Sequence, residues 1–157
     1  MLKFTKEEIE GARSYFRNQG FQEVDVHLGN RKFSYFVVPQ SQEPNLLNFV
    51  IRLSGELNDG YVLGVSDNVD ESHRQYAVAH EYIEFAELGI DTPNRCVRAL
   101  EEELQLFPED IKPDYIRMRR DFFKDLIVYC SKQPQFYTED DLNQFKHNLK
   151  ILDDLVK

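Results

Sequence analysis

Apolar residues recur at helical spacing at Ile9, Ala12 and Phe16, behind a Thr5/Glu8 capping box, and the run stops at Gly20. The period then drops to two. Val24, Val26 and Leu28 alternate with Asp25 and His27, Gly29-Asn30 makes a turn, and Phe33 to Val38 is β-branched and aromatic. These two runs predict a hairpin. Residues 39–45 read as loop. Leu46 to Leu53 alternates again, with Leu47, Phe49, Ile51 and Leu53 against Asn48 and Arg52. Asn58-Asp59-Gly60 then turns the chain into a short strand from Tyr61 to Val65.

Beyond Val65 the spacing is helical throughout. One helix is predicted over 71–88, stopped by Gly89, and a second over 93–106, with Thr92 as N-cap and Pro93 in its first turn. Pro113 opens a third that runs to Ser131, and Thr138 with Asp141 caps a fourth that reaches the chain end. The order predicts an α+β fold: an N-terminal helix, a small four-stranded, mainly antiparallel sheet, then four helices. At 157 residues, with 41% hydrophobic residues, the chain is expected to be one domain, 1–157, with apolar material enough for a core.

Charge narrows the partners. Twenty-eight Asp and Glu against 19 Lys and Arg leave a net charge of −9, which repels phosphate backbones and anionic lipid. Nucleic acid and membrane surface are therefore not expected partners. The basic cluster Arg117, Arg119 and Arg120 is hemmed in by Asp114, Asp121 and Asp125 and reads as a solvated helix face. Cys96 and Cys130 lie among apolar residues and read as buried, reduced thiols. The charged start MLKFTKEEIE has no signal-peptide core, and no apolar run reaches about 20 residues, so a cytoplasmic location is expected.

The segment ESHRQYAVAHEYIEFAELG, residues 71–89, holds the candidate chemistry. At about 100° per residue, His73, Ala77, His80, Glu84 and Glu87 fall along one face. Val78, Tyr82, Phe85 and Ala86 take the far side. His80 and Glu84 stand at i and i+4, a spacing at which two side chains can grip one metal ion. His73, seven residues back, is about 10 Å from His80 along the axis, too far to share that ion. A solvated face is the competing reading, with Arg74 pairing Asp70, although this stripe contains no Lys. On the next helix Glu103 projects from an apolar face of Cys96, Ala99, Leu100 and Leu104. Such a carboxylate has to be paired, protonated or bound to a cation. Arg98, Arg117 and Arg119 are the candidate partners if no cation serves.

The run AVAHEYIEF resembles the active-site helix of zincin metallopeptidases, whose signature is His-Glu-x-x-His followed by a further ligand. The element order is also similar to that of a minimal zincin. The resemblance implies a zincin-like fold, His80 as first metal ligand and Glu81 as catalytic general base to a metal-bound water. Glu103 is the positional candidate for the third ligand. Glu84 stands where the family has its second His. A His/Glu/Glu set is harder than His/His/Glu, so the expected ion is Zn²⁺, Mn²⁺ or Fe²⁺, with preference moved toward the latter two.

Two functions follow. One is a metal-dependent hydrolase of the peptidase class, or its catalytically degenerate relative. The other is a non-catalytic acidic protein, an inhibitor or immunity-type partner that masks a basic protein or peptide. Nucleophilic Ser or Cys catalysis and phosphate loops have no support: Gly-x-Ser-x-Gly is absent and the seven glycines are dispersed. His27 and His147 read as surface residues. Leu142, Phe145, Leu149, Leu152 and Val156 form a narrow seam on the last helix, which packs on its own domain or forms a dimer.

Overall fold

A computed structural model describes residues 6–40, 48–52, 61–89 and 91–157. The Thr5/Glu8 capping box, the alternation along 46–53 and the turn at 58–60 lie wholly or partly outside the described residues. The chain is α+β, and it divides into two compact units, Met1–Gly89 and Ile90–Lys157.

The first unit carries α1 (Lys6–Asn18), β1 (Glu23–Leu28), β2 (Arg31–Val38), β3 (Asn48–Arg52), β4 (Tyr61–Ser66) and α2 (Glu71–Tyr82). Gly29 takes φ 61° in the two-residue turn between β1 and β2, where a primed hairpin turn favours glycine. The strands hydrogen-bond in the order β1-β2-β4-β3, with β1/β2 and β3/β4 antiparallel and β2/β4 parallel. The parallel pair arises because β4 returns between β2 and β3. As an inner strand β4 is buried along Val62, Leu63, Val65 and Ser66.

Alternation along β2 sends its side chains to two faces. Phe36 and Val38 join Val62 and Ile9 of α1, with Ala12, Phe16 and Phe21 packed around them. Phe33 points the other way and stacks on Tyr82 of α2, ring centroids 4.8 Å apart. The sheet is therefore covered by α1 on one face and α2 on the other.

Asp70 caps α2 by accepting from the Ser72 amide at 2.9 Å and the Ser72 hydroxyl at 2.6 Å. These bonds, the hydroxyl's first, hold its carboxyl below the usual range. Arg74 does not take the i−4 bridge to Asp70. Its guanidinium donates to the carbonyls of Val69 and Asp67, at 2.8 and 3.0 Å, and ties down the loop before the helix.

The expected single helix over 71–88 is corrected in its second half. After Tyr82 the backbone widens into a π-helical segment, Ile83–Leu88, closed by the Gly89 amide donating to the Glu84 carbonyl five residues back. Gly89 then leaves at φ 87° and ψ 156°, a region only glycine enters readily.

The second unit is helical among its described residues: α3 (Arg95–Glu103), α4 (Lys112–Ser131) and α5 (Glu139–Val156). α3 starts later than the expected Thr92 cap, behind Asn94 in the left-handed conformation, φ 55° and ψ 35°. Asn tolerates that conformation better than most residues. α4 carries Pro113 in its first turn, and Thr138 with Asp141 forms the expected capping box of α5. α5 packs on α4 and α3, with Phe145 against Phe123. Asn148 on α5 donates to the Cys96 carbonyl at 3.3 Å. Both cysteines are buried and neither forms a disulfide. Burial pushes the Cys130 thiol up to about 11 and the nearby Tyr137 hydroxyl to about 12. No helix among the described residues is long and apolar enough to cross a membrane.

Candidate metal centre

α2 is buried on most of its circumference, with Tyr76, Ala77, Val78 and Ala79 all covered. The polar stripe shares that burial. His73 is buried, His80 is 2% exposed and Glu84 6%. This removes the solvated-face reading for these three residues. Burying an imidazole and a carboxylate costs several kcal/mol unless they meet a partner, and here they meet each other.

His80 Nε2 and Glu84 Oε1 are 2.7 Å apart, a short bond between side chains one helical turn apart. An ionised carboxylate only accepts, so with Glu84 charged the Nε2 proton is the one donated. The two donor atoms are close enough to serve one metal ion. Two donors bound to one tetrahedral zinc at about 2.0–2.1 Å stand roughly 3.4 Å apart. The observed 2.7 Å pair therefore has to lose the bridging proton and open by about 0.7 Å. Rotamer adjustment of one glutamate covers that distance. A nitrogen and a carboxylate oxygen on one helix face fit Zn²⁺, Mn²⁺ or Fe²⁺. Glu81, next to His80, is half-buried.

Glu87 departs from the stripe. In the π-helical segment each residue turns less than the α-helical 100°, so the lag accumulates and carries residue 87 off the face of His80. Its carboxylate meets the Arg31 guanidinium at the start of β2 in a two-point pair, 2.6 and 3.0 Å. Neither this pair nor the π-helical widening has a signal in the sequence, because an i to i+5 ladder has no distinctive composition and Arg31 is 56 residues away.

Glu103 belongs to the second unit, at the end of α3, and is 0% exposed. Its carboxylate accepts from Arg119 Nη2 at 3.1 Å, lies 2.8 Å from Arg119 Nε, and accepts from the Tyr115 hydroxyl. The charge that had to be met by an arginine or a cation is met by Arg119, which is 1% exposed and lies over the rings of Phe122 and Phe123 at 4.9 and 5.1 Å. Arg119 is thus no part of a solvated basic face. Arg119 is one of the three arginines the sequence offers as partners for Glu103, whereas Tyr115, a tyrosine on an apolar face, has the pattern of ordinary core. His27 and His147 are exposed, as expected.

Comparison with protein families, with curated proteins and with solved structures finds no match.

Proposed function

We propose that the chain is a zincin-like metal-dependent hydrolase of the peptidase class, or a catalytically degenerate relative, whose ion is held by His80 and Glu84. The supporting observation is the buried pair itself, with His80 Nε2 and Glu84 Oε1 2.7 Å apart on one face of α2. A bound divalent ion would polarise a carbonyl and acidify a bound water. Glu81 would take the proton of that water, Glu84 would balance the charge, and the apolar surroundings of α2 would limit access of bulk water. Between the two forms, the degenerate one has the firmer support. A catalytic zinc site takes three protein ligands, and Glu103, the candidate third, already has its charge met by Arg119 and Tyr115.

The test is calorimetric titration of Zn²⁺ and Mn²⁺ into untagged protein, into Glu84→His and into His80→Ala. The wild type should take one ion, with tighter binding as pH rises because the His80 proton must leave. Glu84→His should bind Zn²⁺ more tightly and show the larger rise in melting temperature at saturating zinc. His80→Ala should give no heat. Glu81→Gln should leave metal binding unchanged and remove any peptide hydrolysis that the wild type shows. Equal, negligible heats from wild type and Glu84→His would overturn the metal reading. The acidic binding protein, masking a basic partner with its net charge of −9, would then take its place.

A further inference from the structure

We propose that Arg31 is a positioning residue for the His80–Glu84 pair: by gripping Glu87 it pins the end of the helix that carries Glu84. The inference rests on the metal reading only where it speaks of affinity.

Glu84 is the second residue of the π-helical segment, and that segment is the last turn before Gly89. The last turns of helices fray, since their carbonyls lack partners further along the helix. The Gly89 amide donates to the Glu84 carbonyl at 2.9 Å and closes this turn from beyond the segment. Glycine at φ 87° adds no side-chain packing to hold that end. Fraying here would separate Glu84 from His80 and lose the preformed pair. Arg31 opposes it from outside the helix. Its Nε donates to Glu87 Oε2 at 2.6 Å and its Nη2 to Oε1 at 3.0 Å, a two-point grip that fixes orientation as well as distance. Arg31 is itself anchored, because the hairpin register pairs it with Leu28 at the tight turn. The same grip keeps the Glu87 carboxylate away from the face of His80, where regular α-helical spacing would put it beside Glu84.

The Arg31 and Glu87 side chains are 18% and 35% exposed, so the grip is partly screened and its effect should be moderate. Arg31→Ala and Glu87→Gln should each weaken Zn²⁺ binding about two- to fivefold. Each should also speed hydrogen exchange at the Gly89 amide by a similar factor. Arg31→Lys should recover only part, since an ammonium cannot make the two-point contact. The charge-swapped double variant, Arg31→Glu with Glu87→Arg, should restore both readouts. A role confined to general stability would instead speed exchange at buried amides throughout the unit rather than selectively at Gly89.

Zinc binding that is identical in wild type and single variants, with unchanged exchange at Gly89, would overturn the inference and leave the metal reading intact. A wild type that takes no zinc would overturn the metal reading instead. Exchange at Gly89 then decides alone: acceleration in the single variants and recovery in the swap uphold Arg31 as the residue that holds Glu84, and no change refutes it.

Discussion

Removing Arg119 should expose how much the second unit depends on one ion pair. Arg119→Met keeps most of the stem volume and its contact with Phe122 and Phe123, but strips the guanidinium from a Glu103 carboxylate that is 0% exposed. A buried charge that loses its partner costs about 3–5 kcal/mol. The lost cation–π contacts add about 0.5–2 kcal/mol. Tyr115 still donates to Glu103, and a hydrogen bond to a charged group offsets about 1.5–3 kcal/mol of the penalty. The net expectation is a loss of about 3 kcal/mol. In urea unfolding followed by far-UV circular dichroism, with a slope near 2 kcal/mol per M, the midpoint should fall by roughly 1.5 M. Replacing both partners, as Glu103→Met with Arg119→Met, should restore most of it, because no charge remains buried. The double variant should then lie well above the sum of the two single losses. A midpoint shift below about 0.5 M for Arg119→Met, or strict additivity in the double variant, would refute the view that Glu103 and Arg119 are mutually compensating buried charges.

Two further outcomes test the helical unit. Burial holds the Cys130 thiol protonated, so iodoacetamide should modify Cys130 slowly at pH 8, with half-maximal reactivity approaching pH 11 rather than the roughly 8.5 of an exposed thiol. Peptide mapping checks this, and labelling at pH 8 at a free-thiol rate would contradict it. Because the folded thiol is the weaker acid, stability should be insensitive to this group below about pH 9 and should decline as pH rises toward 11. Thr138→Ala removes the hydroxyl arm of the capping box, which accepts from the Asp141 amide at 3.1 Å, leaves the residue-138 amide free to donate to the Asp141 carboxylate, and should cost about 1 kcal/mol in the same urea assay. A loss under a few tenths would mean that tertiary packing alone fixes the start of α5.

What was legible in the sequence follows the range of the interactions involved. The hairpin, the Pro113 start and the Thr138 box rest on contacts within a few residues, and the structure has them. The parallel pairing of β2 with β4 depends on where a later strand inserts, which no local pattern encodes. Thr92-Pro93 is a good local start signal, but a left-handed Asn94 overrides it and α3 begins at Arg95. The π-helical segment is the costliest omission for the candidate site. A uniform 100° per residue placed Glu87 on the face of His80, while the widened backbone gives it to Arg31.

Glu84 and Glu103 show why a buried carboxylate is an incomplete clue. Glu84 is a candidate by its i, i+4 spacing from His80 and Glu103 by its apolar face, and both are buried, so the charge of each demands a counterpart. Their counterparts differ in what they leave open. Arg119 cannot give up its charge and holds Glu103 through two nitrogens, with Tyr115 adding a third donor, so a metal ion would have to displace a permanent cation. His80 meets Glu84 through one proton at a titratable nitrogen, and a divalent ion can replace that proton without leaving a charge unmet. The exchangeable partner, rather than the buried acid, is what distinguishes a site able to accept an ion from a structural ion pair. By that criterion the proposed ion site is His80 with Glu84, and Glu103 belongs to the framework of the helical unit.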